Sequence, residues 1–194
     1  MKDKLIRTRR LKIRKLRESD LEDFHAYRCD PEITRYQGFD TFDLQEAMDF
    51  IRKQQDKSID IPGEWVQYGI EHISKRKLVG DCAIHLQIKD SLTAELGITI
   101  SGRNQRKGYA REAMSGLMDF LFRVKGVCRI VETVDAENLA SIRMLKSLSF
   151  RQDGELMENI FFKGKWTNEY RFILKKEEWE AGNRSFYPVF LDNK

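Results

Sequence analysis

Hydrophobic and polar positions repeat along this chain with two different periods. A period of two, typical of strands with one buried face, runs through residues 11–16, 65–73, 78–88, 93–100, 128–134, 155–162 and 169–174. A period of three to four, typical of amphipathic helices, runs through residues 21–30, 44–55, 110–125 and 138–149. The predicted order is therefore β-α-α-β-β-β-α-β-α-β-β, an α/β (α+β) fold with one mixed, mostly antiparallel sheet flanked by helices.

The connections between these segments indicate how the strands pair. Short polar turns join the strands at 65–73, 78–88 and 93–100, which predicts an antiparallel meander. The next unit, strand, helix and strand from Thr93 to Val134, has the length of a βαβ crossover. Its two strands are therefore expected to be parallel neighbours.

Length and composition place the chain among ordinary folded domains. It has 194 residues, of which 41% are hydrophobic, with only 3 Pro and 12 Gly. This excludes collagen-like, low-complexity and wholly disordered proteins, and it favours a single hydrophobic core.

The net charge of +4 is unevenly distributed. Residues 1–17 carry nine Lys or Arg and one acid, whereas the rest of the chain has more acids than bases. A basic arm for nucleic acid or for a membrane surface is one interpretation. Leu11, Ile13 and Leu16 occur among these cations at strand-like positions, and no aromatic residues lie between them, so a strand of the core is the favoured interpretation.

Several kinds of site and targeting signal find no support in the sequence. The three cysteines are far apart, and the three histidines lack the spacing of metal ligands, so we expect no metal site and no disulfide framework. No apolar stretch follows the N-terminal cations, and no segment has about 18 consecutive apolar residues. We therefore predict a cytoplasmic protein without a membrane partner.

One segment, ELGITISGRNQRKGYAREAM at residues 95–114, combines a strand, a short basic loop and an amphipathic helix. The free N–H groups of a helix start, together with the helix dipole, favour a bound anion, and Gly108 lets the backbone approach it closely. Arg103, Arg106 and Lys107 add positive charge. The segment predicts a pyrophosphate site, although it has neither the Gly-Lys-Ser/Thr ending of a Walker loop nor a three-glycine dinucleotide motif.

At these residues the chain resembles the GNAT superfamily of acetyl-coenzyme A dependent N-acetyltransferases. The matching motif is QRKGYA, and the resemblance extends to TRRLKIRKLRESDLEDFHAYRCDPEITRY, KLVGDCAIHL, AELGITI and NLASIRMLKSLSF. These segments are closest to the RimJ/RimL-type ribosomal-protein N-terminal acetyltransferases. The resemblance implies the GNAT fold, acetyl-CoA as the co-substrate, and cofactor-binding residues Ile98, Thr99, Ile100, Arg103, Gln105, Arg106, Lys107, Gly108, Tyr109, Ala110 and Asn138.

The implied reaction is direct attack of a neutral amine on the thioester. Glu95, on the central strand, is the first candidate for the general base, directly or through water; the alternatives are a solvated glutamate at a strand edge and a substrate-binding anion. Glu158 is the second candidate, and it could equally face solvent. Many members of the superfamily use a Tyr to protonate the leaving thiolate, but the matching position here is Leu145. The Rim-type branch resembles this chain in having a Ser three residues after the Asn, here Ser141. The resemblance therefore assigns Ser141 to the thiol, with an ordinary serine near a helix N-terminus as the alternative.

The sequence does not determine the identity of the acceptor amine. Asp40, Asp43, Glu46, Glu64 and Glu71, together with Glu95, favour a cationic amine. A peptide N-terminus, a polyamine, an aminoglycoside and an amino-acid-like amine all fit. The competing hypotheses are a catalytically silent GNAT-fold binding module and a nucleic-acid binder that uses the basic segment.

The resemblance covers residues 1–175, which we predict to form the acetyltransferase domain. Residues 176–194 form a C-terminal tail that contains Trp179, Phe186, Tyr187 and Phe190. Because exposed aromatic side chains are seldom left uncovered, we expect this tail to dock on its own domain or on a second subunit of a homodimer.

Overall fold

The computed structural model describes residues 5–39, 41–90, 92–182 and 189–191. In this part of the chain the strands are β1 (Leu5–Arg7), β2 (Leu11–Lys15), β3 (Trp65–His72), β4 (Lys77–Leu86), β5 (Thr93–Ile100), β6 (Arg129–Asp135), β7 (Arg151–Gln152), β8 (Met157–Phe162), β9 (Lys165–Lys175) and β10 (Val189–Leu191). The helices are α1 (Leu21–Arg28), α2 (Pro31–Thr34), α3 (Leu44–Gln55), α4 (Tyr109–Phe120), α5 (Leu139–Ser147) and α6 (Lys176–Gly182). A π-helical turn, Leu121–Lys125, extends α4.

The strands form one mixed sheet, as the sequence predicts. Its order is β10-β1-β2-β3-β4-β5-β6-β9-β7, with β8 pairing with β9. The predicted meander of β3, β4 and β5 is antiparallel, and β5 and β6 on either side of the α4 crossover are parallel. The predicted fold class is therefore confirmed.

Some short elements were not predicted. These are β1, β7, β10, α2 and α6, whose lengths in the structure range from two to seven residues. Such segments are too short for a hydrophobic period to be recognised. In the tail, Leu191 pairs with Leu5, and Trp179 packs against the ring of Phe122. Phe186 and Tyr187 lie outside the described residues, as does Asp40, and the domain boundary and a homodimer stay predictions.

Two layers of helices cover the sheet. On one face, α4 contributes Met114, Leu117 and Leu121, all predicted from its helical period and all buried in the main core. On the other face, Phe24 of α1 and Ile51 of α3 belong to a second buried cluster. The sheet is thus enclosed between helices, and its central strands are accessible only where two neighbours separate.

The basic first segment is part of the sheet. Arg14 of β2 is buried, and it donates to Asp20 at 2.7 Å and to Glu71 at 2.6 Å. Lys15 donates to the carbonyl oxygens of Gln54 and Lys57. These cations have intramolecular partners, which argues against a nucleic-acid surface built on them.

The parallel pairing of β5 with β6 ends early. It joins Thr93 to Arg129, Ala94 to Ile130 and Glu95 to Val131, and it stops there, although β5 continues to Ile100. Beyond Glu95, β5 is paired only with β4 among the described residues. The sheet therefore opens on one side of β5.

Gly80 keeps β4 close to β5, and its replacement provides a test of this pairing. A Cβ at Gly80 would clash with the carbonyl oxygen of Thr99 and lie 3.0 Å from Cα of Ile100. A Cβ at Gly97 would lie 3.6 Å from Cβ of Ala83, which is an ordinary contact distance. We expect Gly80→Ala to lower the free energy of unfolding by about 2 kcal/mol or more in urea titrations.

Gly97→Ala is the matched control, with an expected change within about 0.5 kcal/mol. Equal effects of the two substitutions on the free energy of unfolding would contradict the close approach described for Gly80.

Candidate active site

Two adjoining cavities lie where β5 and β6 separate. The first has a volume of about 540 Å³ and extends along the end of β5 to the start of α4. The second, of about 360 Å³, extends between β5, β6 and the turn after α2. The residues that line both are Tyr36, Gln37, Ile98, Asn138, Ser141 and Met144. A ligand that reaches through the gap would therefore contact both cavities.

The start of α4 gives the first cavity its anion-binding character. The N-cap of this helix is Gly108, which has φ +76° and, as a glycine, has no side chain that could cap the helix. The first N–H groups of the helix are consequently available to an external acceptor, as an anion site requires. Gln105, Arg106, Tyr109 and Ala110, for which the sequence predicts cofactor binding, line the same cavity.

The cations around this cavity differ from the predicted set. Arg106 lines it, but Arg103 donates to Asp23 at 2.7 Å, and Nζ of Lys107 donates to the carbonyl oxygen of Arg103 at 2.5 Å. Two cations that the sequence did not single out, Arg111 of α4 and Arg143 of α5, line the cavity instead. Their positions near the N-terminal ends of two helices, third in α4 and fifth in α5, were the available signal.

Asn138 and Ser141 are held together at the start of α5. The side-chain oxygen of Asn138 accepts a hydrogen bond from the backbone N–H of Ser141 at 3.1 Å, so Asn138 caps the helix. The partly buried Ser141 lines both cavities. The structure therefore brings Ser141 to the gap, where a leaving sulfur would need a hydrogen-bond donor. Ile98, Thr99 and Ile100 also line the first cavity, and their role in binding the co-substrate stays a prediction.

The two predicted general bases lie in different surroundings. Glu95 accepts a hydrogen bond from Gln87 at 3.0 Å and lies 3.4 Å from Nδ1 of His85, on the side of β5 that faces β4. Glu158 is exposed. Neither is among the described residues that line the two cavities. Glu95 lies at the last β5–β6 pair, where the gap begins, without lining either cavity, whereas Glu158 lies on the exposed surface.

A third carboxylate, Glu132 of β6, lies in the gap itself. It lines the second cavity and accepts a hydrogen bond from the backbone N–H of Leu96 at 3.0 Å, just beyond the last β5–β6 pair. Burial raises the pKa of Glu132 well above its ordinary value, and the nearby charge of Glu95 raises it further.

Sequence reasoning missed Glu132, although the strand contains a signal. Ile130 and Val134, two residues before and after it, belong to the main core. A glutamate at the middle position of such an alternation is a charged group on a core-facing side of a strand, which is uncommon unless it has a function or a partner.

The turn that closes the second cavity is held by the β8–β9 hairpin. Nζ of Lys163 donates to the carbonyl oxygens of Thr34 and Phe39, which flank the turn. Tyr36, Gln37 and Gly38 of this turn line the cavity together with Phe162 of β8. These contacts place an aromatic and polar rim over the gap.

Acidic groups dominate the second cavity. Glu132, Asp135 and Glu169 line it, whereas no Lys, Arg or His occurs among its described lining residues. The hydroxyl of Thr167 donates to Asp135 at 2.7 Å, and burial, with the charge of Asp135, raises the pKa of Glu169. Whichever of these carboxyl groups are ionised give the cavity a negative potential, which favours a cationic ligand.

Metal ligands and membrane-spanning segments are two further features to consider in the described residues. They contain no group of three or more His, Cys, Asp or Glu side chains that could hold a metal ion. No helix in the described ranges is long and apolar enough to span a membrane.

The site thus combines a helix start that suits an anion at one end of a gap in the sheet with carboxylates at the other end. The sequence matches the family described as "Acetyltransferase (GNAT) domain" over residues 10–151. The chain therefore belongs to the GNAT family, and it is an N-acetyltransferase that uses acetyl-CoA.

Individual relatives agree with this assignment. The chain is 32% identical over 173 residues to the N-acetyltransferase p20 of Bacillus licheniformis, covering 89% of this chain and 96% of that protein. It is 33% identical over 92 residues to the spermidine N(1)-acetyltransferase of Escherichia coli K12, covering 47% of this chain and 50% of that protein. The structure of a GNAT-family acetyltransferase from Bacillus anthracis matches with a TM-score of 0.79 and 25% identity, covering 90% of this chain and 99% of that one.

The raised pKa of Glu132 predicts a pH-dependent cost to stability. The folded protein holds this proton to a higher pH than the unfolded chain, so stability falls as pH rises from the ordinary glutamate range through the raised pKa. Glu132→Gln removes the charge and keeps an oxygen for the N–H of Leu96. We expect its thermal midpoint to exceed that of the wild type by about 2 °C or more at about pH 8, and to match it near pH 4.5.

Glu177→Gln, at an exposed position of α6, is the control and should follow the wild type at every pH. A difference between Glu132→Gln and the wild type that does not grow with pH would contradict the burial of an ionisable group at Glu132.

Proposed function

We propose that this enzyme acetylates a small amine with more than one positive charge, of the polyamine class. The observation that carries the proposal is the second cavity, where Glu132, Asp135 and Glu169 are present and the described lining has no basic side chain. A ligand with one charged group would compensate only part of this potential. A second ammonium group, placed near Asp135 and Glu169, would compensate more of it.

The first cavity is the part that would hold acetyl-CoA. The uncapped N-terminus of α4, with Arg106 and Arg111, provides hydrogen-bond donors and positive charge for the pyrophosphate. Along the end of β5, the backbone around Ile98 has no partner strand on the β6 side in the described chain, so it is available to the pantetheine amides. When bound, acetyl-CoA supplies an acetyl group activated as a thioester.

Glu132 is the proton acceptor in this proposal. Polyamine nitrogens are largely protonated near neutral pH, as lysine-like amines with a pKa of about 10.4 are, so the acceptor must lose a proton before its nitrogen bonds to the acetyl carbon. A carboxylate whose pKa is raised is a better base than an ordinary one. In this proposal Glu132 would take one proton from the ammonium group, and the nitrogen would then bond to the acetyl carbon as the carbon–sulfur bond breaks. The second N–H proton would pass to the departing sulfur, to which the hydroxyl of Ser141 would donate a hydrogen bond.

The similarity to the Escherichia coli spermidine acetyltransferase supports this acceptor class. The peptide N-terminus implied by the RimJ/RimL resemblance is the competing prediction for the acceptor. The cytoplasmic location of the protein also stays a prediction. A peptide acceptor presents one α-ammonium group with a pKa of about 7.8, followed by an uncharged backbone. The two acceptor classes therefore differ in the number of charges that the acidic cavity can bind.

A matched pair of amines tests the acceptor class. 1,5-Diaminopentane and pentylamine have the same carbon chain and differ by one ammonium group. In assays of thiol release from acetyl-CoA, we expect kcat/KM to be about tenfold higher for the diamine, because the second charge binds near Asp135 and Glu169. Glu169→Gln should reduce this ratio and leave KM for acetyl-CoA unchanged.

Spermidine, spermine and a short peptide with a free N-terminus complete the panel. Faster turnover of the peptide than of every polyamine would overturn the acceptor class. Binding of CoA without thiol release on any of these amines would instead support a silent binding module.

The role of Glu132 is tested by activity as a function of pH. We expect Glu132→Gln to lower kcat by about 100-fold or more. In the wild type, kcat/KM should fall as pH drops through the raised pKa of Glu132, because the base becomes protonated, and this limb should disappear in the variant.

Glu177→Gln provides the control for Glu132→Gln and should retain wild-type rates. Glu95→Gln and Glu158→Gln test the two carboxylates that the sequence singles out. A large loss of kcat in either of them, with little loss in Glu132→Gln, would refute the assignment of the base to Glu132.

A further inference from the structure

Arg10, in the turn between β1 and β2, contacts residues 101–108, the loop between β5 and α4, which we call the anion-binding loop. Its Nη1 donates to the carbonyl oxygen of Lys107 at 3.0 Å, and its guanidinium lies over the ring of Tyr109, 4.6 Å from the centroid. These two contacts bracket Gly108. Arg10 is not among the described residues that line the first cavity; it lines an adjoining cavity, which shares Gly108, Arg111 and Ser147 with the first.

Arg10 also binds the one acidic side chain in the first turn of α4. Its Nε donates to Oε2 of Glu112 at 2.6 Å, and its backbone N–H donates to Oε1 at 2.7 Å. The hydroxyl of Thr8 donates to the same Oε1 at 2.7 Å. Glu112 is buried, and these donors keep its pKa below the ordinary value, so it is ionised.

An ionised carboxylate in this position has an electrostatic consequence. The start of α4 attracts anions through its dipole and free N–H groups, and a negative charge one turn into the helix competes with any anion bound there. Because Arg10 neutralises Glu112 at close range, the two charges together leave the site available to phosphate. The same guanidinium fixes the carbonyl of Lys107 away from the cavity.

We infer that Arg10 is a positioning residue for the phosphate groups of the co-substrate. It acts through the loop and through Glu112, without contact to the ligand. This inference assigns a purpose to one cation of the basic first segment, and it rests on the proposed use of the first cavity for CoA. It predicts that replacing Arg10 weakens the interaction with ligands that carry the pyrophosphate and leaves the interaction with ligands that lack it unchanged.

Calorimetric titration of CoA into the full chain tests the inference without an acceptor. We expect Arg10→Gln to raise Kd for CoA about tenfold. Arg9→Gln removes the same charge from the neighbouring exposed residue, for which the structure shows no bond to the loop, and should change Kd less than about twofold. The double variant Arg10→Gln/Glu112→Gln should recover much of the lost affinity, because the uncompensated carboxylate is then absent.

A truncated thioester separates positioning from a general structural role. S-acetylpantetheine carries the acetyl group and the pantetheine arm but no pyrophosphate. We expect Arg10→Gln to lower kcat/KM for acetyl-CoA about tenfold and to leave kcat/KM for S-acetylpantetheine unchanged within about twofold. Arg10→Lys, which retains the charge but cannot make all of these contacts, should fall between the wild type and Arg10→Gln.

Several outcomes would overturn the inference. Equal increases of Kd in Arg9→Gln and Arg10→Gln would show a long-range charge effect only. Equal losses of kcat/KM on the two thioesters would show a structural defect. Failure of the wild type to bind CoA at all would refute the proposed use of the cavity, and that result is distinct from wild-type binding that Arg10→Gln leaves unchanged.

Discussion

The early end of the pairing between β5 and β6 is the constraint on which the site depends. The two strands share three residue pairs and then separate, although both continue further. Parallel strands that remained paired would leave no room at the centre of the sheet, and their backbone groups would be satisfied by each other. Because they separate, the end of β5 keeps backbone groups for a ligand, and both cavities open at the same point.

The surroundings of the gap are polarised by charge. At the α4 end, free helix N–H groups and arginines favour an anion, and the one acid in that turn, Glu112, is neutralised by Arg10. At the other end, carboxylates line the cavity with no basic residue among the described lining. If the acceptor is cationic, as we propose, an anionic thioester carrier and this acceptor would be drawn to opposite ends, which would orient two substrates that must meet at one bond.

Much of the fold followed from periodicity, because its main strands and helices are long enough for a hydrophobic period to be recognised. The strand from Thr93 to Ile100 occurs as predicted, and so does the helix that follows it, α4, whose N-cap is Gly108. The anion-binding loop was predictable because its chemistry is local in sequence. Arg103 and Lys107 show the limit of such reasoning, since their side chains bind Asp23 and a backbone carbonyl instead of lining the cavity.

The groups that sequence reasoning missed depend on contacts between distant segments. Glu132 acquires its raised pKa from burial between strands, and Arg10 meets Glu112 across about a hundred positions of sequence. A crystal structure with bound CoA and a diamine tests the account most directly. It should show the sulfur between β5 and β6, within about 3.5 Å of the hydroxyl of Ser141, and an amine nitrogen at hydrogen-bond distance from Glu132. An amine nitrogen bound to Glu95 or Glu158, with Glu132 remote from it, would contradict the account.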